Sequence, residues 1–113
     1  ELKGKFDGVA FRVPTITVSL TDLTVVLGEE TSESKINEMF LQASEGSMKG
    51  IINTTREPLV SSDFIKNPYS STVDTKMTRV VDGNLVKIVA WYDNEWGYAN
   101  RLVELAEIAA DHE

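Results

Sequence analysis

The sequence contains no cysteine, which removes disulfides, thiolate metal ligands and a thiol nucleophile from the chemistry these residues can carry. It has a single histidine, His112 in the closing "DHE", and an imidazole at a fraying chain end has no fixed partner, so no role is expected for it. Basic residues are short: 11 Lys and Arg stand against 18 Asp and Glu, a formal net charge of −7. A nucleic-acid or anionic-membrane surface needs a basic footprint, so neither partner is expected, although one arginine reading one phosphate is not excluded. No apolar run approaches a membrane span and no signal peptide is visible, which makes a cytoplasmic protein the expectation. Metal-ligand clusters, a phosphate-cradling glycine loop and a serine in a nucleophile elbow are all missing. The carboxylates are scattered, with no pair suited to acid–base work.

What is there fits one small domain. The chain has 113 residues, 42% hydrophobic and 26% charged, enough for one core. "GVAFRVPTITVSL" alternates Val9, Phe11 and Val13 with Ala10 and Arg12, the period of a strand, with Pro14 bending it or holding it at an edge. "DLTVVL" places Leu23, Val25 and Leu27 on one face of a second strand. "TSESKINEMFLQASEG" sets Ile36, Met39, Phe40 and Ala43 at helical spacing, with Thr31 or Ser32 to cap the start and Gly46 to end it. "GIIN" is a short strand candidate. Residues 54–76 read as irregular with short strands, anchored by Leu59, Val60 and Phe64. Asp82-Gly83-Asn84 between two β-rich runs predicts a tight hairpin. Leu102, Val103, Leu105, Ala106 and Ala109 predict a closing helix over about 94–111. The expectation is an α+β fold: a mostly antiparallel or mixed sheet, one covering helix and a C-terminal helix.

Both tryptophans fall in "AWYDNEWGYANR", where the last strand hands over to the last helix. Asp93 or Asn94 is a natural cap for the first-turn N–H groups. Gly97 costs about 1 kcal/mol against alanine inside a helix, so a close approach to its backbone is one compensation. Two readings stand side by side. In one, Trp91, Trp96 and Tyr98 pack strand onto helix and Asn94 merely caps. In the other, the helix start receives a carbonyl or anion. Arg12 divides in the same way. Its planar fork suits phosphate or carboxylate, and it can equally pair with Asp22 or Asp63 or sit exposed on an edge. Arg79, Lys87 and Arg101 read as solvated surface charges.

"FRVPT" and "WYDNEWGYANR", together with "LKGKFDGVAFRVPTITVSLTDLTV", "EGSMKGI" and "PLVSSDF", resemble the phosphorylating glyceraldehyde-3-phosphate dehydrogenases of the bacterial and eukaryotic type. The resemblance runs in order over nearly the whole chain and covers the C-terminal part of their catalytic domain. It implies roles by position. Arg12 matches the arginine of the family's anion sites for substrate phosphate and inorganic phosphate. Asn94 matches the asparagine that hydrogen-bonds the nicotinamide carboxamide of NAD, and Tyr98 the aromatic beside the nicotinamide ring.

The same resemblance implies a parent that oxidises and phosphorylates glyceraldehyde 3-phosphate to 1,3-bisphosphoglycerate in glycolysis, usually as a homotetramer. It further implies that residues 1–113 are a fragment, without the N-terminal Rossmann domain that binds most of the NAD and without the catalytic cysteine segment. No catalytic residue is then expected in this chain, and alone it is expected to be inactive. The related erythrose-4-phosphate dehydrogenase shares "DNEWG" and is the alternative enzyme; Tyr92 and Tyr98 lean towards the glyceraldehyde enzyme. A freestanding structural or interaction domain is the alternative of a different class.

Overall fold

The computed structural model describes residues 2–111; Glu1, His112 and Glu113 lie outside the described residues. Five strands and two helices follow in the order β1 (Ser19–Val26), α1 (Glu33–Glu45), β2 (Ile52–Thr55), β3 (Ser71–Asp74), β4 (Arg79–Val81), β5 (Leu85–Tyr92) and α2 (Trp96–Ala110), with a 3-10 turn at Ser61–Phe64. This is the expected α+β architecture, built on a mixed sheet of order β1-β5-β3-β2 in which β4 also pairs with β5.

β5 organises the sheet because its run Val86, Ile88, Val89, Ala90 combines β-branched and small residues that pack on both faces. β1 pairs antiparallel with its whole length, from Ser19 opposite Tyr92 to Val26 opposite Leu85. On the other side β4 meets its first half through Arg79–Lys87 and Val81–Leu85. β3 meets its second half through Thr72–Trp91 and Val73–Ala90. The β4–β5 hairpin forms where the sequence predicts it. Asp82 and Gly83 both take positive φ, 51° and 76°, the left-handed pair such a turn requires. The turn is tied outward as well: Gly83 O accepts from Thr31 N at 2.7 Å and Asn84 O from Leu27 N at 2.9 Å. β2 joins β3 in parallel, Ile52 opposite Ser71, which makes the sheet mixed. Fifteen residues, 56–70, separate the two strands in sequence, long enough for a crossover that no tight turn could make.

The core gathers Val73, Val86, Val89, Ala90, Phe64, Ile36 and Val18. Phe64 stacks on Trp91, ring centroids 5.4 Å apart and planes within 9°, so the 3-10 turn closes over the face of β5 that Trp91 shares with Val89. α1 starts where Ser32 Oγ accepts from Lys35 N at 3.2 Å and stops at Gly46, whose N–H reaches the carbonyls of Gln42 and Ala43.

Four expectations change. The strand over Val9–Val13 does not form, and that backbone is irregular. None of the five strands takes this segment as a partner, and the sheet ends at β1 and β2; alternation alone does not hold a strand whose backbone groups have no ladder to join. Phe11 and Val13 are consequently exposed. Met39 and Val60 are also exposed: helix α1 buries the narrow line through Ile36 rather than the wider stripe, and Val60 opens the 3-10 turn instead of filling beneath it. Finally, Trp96 and Tyr98 are 45% and 67% exposed, so of the three aromatics only Trp91 is seen packed, against Phe64 of the 3-10 turn. Beyond its first turn, α2 leaves Leu102, Val103, Leu105 and Ile108 exposed, and Ala109 with them.

Candidate functional site

The junction between β5 and α2 is organised by Asp93, which is 3% exposed. Its Oδ1 accepts from Glu95 N at 2.9 Å and Trp96 N at 3.0 Å, while Thr17 Oγ1 donates to the same oxygen at 3.2 Å. Oδ2 accepts from Lys66 N at 2.8 Å. One carboxylate therefore caps the helix start and fastens it to two other segments of the chain. The choice between Asp93 and Asn94 as cap falls to Asp93, because only a buried acceptor can satisfy donors arriving from three directions. Burial pushes the Asp93 carboxyl up, but the hydrogen bonds from Lys66, Trp96, Glu95 and Thr17 outweigh it and hold the group below the usual carboxylate range.

Freed from capping, Asn94 is exposed and its side chain makes one hydrogen bond among the described residues, accepting from Ser19 Oγ at 3.3 Å through Oδ1. Its amide nitrogen has no hydrogen-bond partner among the described residues. Asn94 stands where two depressions meet. The first is an open cleft of about 860 Å³ walled by Phe11, Arg12, Val18, Ser19, Trp91 and Asn94, among others. The second, about 240 Å³, is bounded by Ser70, Tyr92, Asp93, Asn94, Gly97, Tyr98 and Arg101. The structure thus brings Arg12 and Asn94 to one cleft, and Asn94 and Tyr98 to the next. Arg12 and Tyr98 share neither.

Arg12 is exposed and forms no hydrogen bond or ion pair among the described residues. The pairings weighed for it are otherwise engaged: Asp22 Oδ2 meets Lys87 Nζ at 2.7 Å, and Asp63 Oδ2 accepts from Val60 N at 2.8 Å. A free guanidinium on a cleft wall keeps its full fork available to an anion. Trp91, which lines the same cleft, has a buried indole N–H without an acceptor among the described residues.

Gly97 has the close neighbour that the sequence reading expects, whereas Arg101 departs from that reading. A Cβ on Gly97 would stand 2.8 Å from Tyr69 O and 3.6 Å from Ser70 Cα. The close approach that compensates the glycine is therefore made by this chain's own backbone. Gly97→Ala is expected to destabilise by about 1–3 kcal/mol despite alanine's better helix propensity, because backbone rather than a flexible side chain must give way. Denaturant unfolding of the pair checks this; an unchanged or raised midpoint would contradict it. Arg101 is not a solvated charge. Its Nη1 donates to Gly50 O at 3.1 Å and Ser70 Oγ at 3.4 Å, and its other amino group pairs with Glu104, binding α2 to the loop before β2. Lys87, by contrast, is the surface charge expected, in an exposed pair with Asp22.

Asp93's anchoring role and the contribution of Thr17 and Ser19 escape sequence reasoning, since their partners lie 75 and 76 residues away. Val18, between those two hydroxyls, is buried with φ 76°, a conformation that costs a β-branched residue on the order of 1–3 kcal/mol.

Comparison with known proteins agrees with the resemblance seen in the sequence. The family model described as glyceraldehyde 3-phosphate dehydrogenase, C-terminal domain, matches residues 1–94. A cytosolic glyceraldehyde-3-phosphate dehydrogenase of Chlamydomonas reinhardtii is 55% identical over 94% of this chain and 31% of its own length. The enzyme of the same name from Zymomonas mobilis is 51% identical over 94% of this chain and 32% of its own. A chloroplastic one from Arabidopsis thaliana is 46% identical over 98% and 28%. The chain spans about a third of the length of the curated relatives it matches. Among the described residues no helix is long and apolar enough to cross a membrane.

Proposed function

The chain belongs to the family of glyceraldehyde 3-phosphate dehydrogenase C-terminal domains, and from that premise we propose that it is the anion-clamping and nicotinamide-contacting part of an NAD-dependent, phosphorylating aldehyde dehydrogenase of glycolysis. The parent enzyme converts glyceraldehyde 3-phosphate and inorganic phosphate to 1,3-bisphosphoglycerate, as a cytoplasmic homotetramer. The observation that carries the reading is the position of Asn94 between two clefts, with unpaired Arg12 on one and Tyr98 on the other.

Each residue has a chemical reason for its part. Arg12 offers two parallel N–H donors to a phosphate, on the substrate or free, and its charge is not already spent on a neighbouring acid. Asn94 has two unused N–H donors for the carboxamide oxygen of nicotinamide. The exposed ring of Tyr98 lies on the same cleft as Asn94, where a flat apolar face can limit rotation of the pyridine. NAD, when bound, supplies the hydride acceptor. Residues of this chain contribute position and charge, which are worth most when the reacting groups are already held at contact distance. With no cysteine among its 113 residues, the covalent thiol step takes its nucleophile from elsewhere, and the chain alone is expected to be inactive. The exposed stripe of Leu102, Leu105 and Ile108 on α2 supports docking onto the rest of that enzyme.

The test is NADH production by the full-length enzyme that carries this segment. Turnover should require phosphate and favour glyceraldehyde 3-phosphate over erythrose 4-phosphate. A strong preference for the four-carbon sugar would transfer the assignment to the related dehydrogenase, and phosphate-independent turnover would overturn it.

A further inference from the structure

The hydroxyls of Thr17 and Ser19 hold two consecutive side chains across the junction, Asp93 and Asn94. Val18 between them has φ 76° and is buried. In an extended strand, alternate residues already share a face; the left-handed residue here gives the three-residue bracket its own local path before the ladder begins. The bracket is anchored at once. Ser19 is the first residue of β1 and faces Tyr92, two residues before Asn94, so its hydroxyl is carried on the sheet rather than on a loose loop.

The direction of the Ser19–Asn94 bond has a chemical consequence. Ser19 Oγ donates and Asn94 Oδ1 accepts, at 3.3 Å. The amide carbonyl is engaged from the β1 side, and both Nδ2 hydrogens remain for the junction of the clefts. We infer that Ser19 is a positioning residue that fixes the polarity of Asn94, making it a hydrogen-bond donor and so selecting a ligand that presents a carbonyl oxygen there. The inference rests on the proposed assignment of Asn94 to the cofactor's carboxamide. It adds why that asparagine presents its nitrogen rather than its oxygen, and names the residue responsible.

A double-mutant cycle on NAD dissociation in the full-length enzyme tests it. Ser19→Ala should raise the NAD dissociation constant about five-fold, as expected for losing one modest hydrogen bond, while leaving the KM for phosphate unchanged. Ser19→Thr keeps a hydroxyl on the same strand position and should stay within about two-fold of the parent. In an Asn94→Ala background, Ser19→Ala should add less than about two-fold, because its route to the cofactor has been removed. An NAD analogue with an acetyl group in place of the carboxamide retains the carbonyl and loses the N–H donors. Its binding should suffer from Ser19→Ala as NAD binding does. If Asn94→Ala weakens NAD binding but Ser19→Ala does not, the inference is overturned and the cofactor assignment stands. A full five-fold effect of Ser19→Ala in the Asn94→Ala background would also overturn it, by showing action through another route. If Asn94→Ala leaves NAD binding intact, the assignment of Asn94 itself fails.

Discussion

Arg12→Ala in the full-length enzyme is expected to lower kcat/KM for phosphate-dependent oxidation by on the order of 100-fold, from loss of a charge-assisted bidentate contact worth roughly 3 kcal/mol. Stability should change by less than about 0.5 kcal/mol, because the side chain is exposed and removes no partner's hydrogen bond. The separation of the two effects is the informative part. An arginine held in a structural ion pair would do the reverse, losing stability while binding was spared. Arg12→Lys keeps the charge without the fork and should recover only part of the rate. Steady-state kinetics with varied phosphate, beside a thermal melt, separates the cases. Unchanged activity in Arg12→Ala would remove this residue from the site.

Asp93→Ala should have the largest effect on the fold. It leaves the N–H groups of Lys66, Glu95 and Trp96 and the Thr17 hydroxyl without their common acceptor. Losing one such buried anchor costs about 3–5 kcal/mol, which in a domain of this size lowers Tm by more than about 10 °C. Asp93→Asn should fall between. The amide keeps an acceptor for the helix start but turns an N–H donor towards Lys66 N, so donor meets donor. The pH dependence has a defined sign. With its folded-state pKa below the unfolded value, the carboxylate contributes its full stability above about pH 4 and loses it as pH falls through the folded value. The Tm gap between the parent and Asp93→Asn should therefore narrow as the solution is acidified below about pH 4. A gap constant from neutral pH to pH 2 would show that the charge on Asp93 is irrelevant to the fold.

How far these features could be read in advance depended on how local their causes are. The β4–β5 hairpin was legible because Asp82 and Gly83 carry their own conformational preference, and the turn needs nothing from afar. The ends of α1 were legible for the same reason, in Ser32 and Gly46. Arg12 was visible as an oddity but its strand was not real, since alternation records which side chains could share a face and cannot supply a neighbouring strand. Gly97 was recognised as costly, yet its compensation lies in Tyr69, nearly thirty residues upstream. Asn94 and Tyr98 were found through the resemblance of "WYDNEWGYANR", not through periodicity. Arg101 was read as a solvated charge and Ser19 was missed, because their partners at Gly50, Ser70 and Asn94 meet them only in three dimensions.

The most direct measurement is a crystal structure of the full-length enzyme with NAD and phosphate bound. The guanidinium of Arg12 should lie within hydrogen-bond distance of a phosphate, Asn94 Nδ2 within about 3 Å of the nicotinamide carboxamide oxygen, and Ser19 Oγ still on Asn94 Oδ1. A cofactor ring and an anion bound away from both side chains would contradict the account.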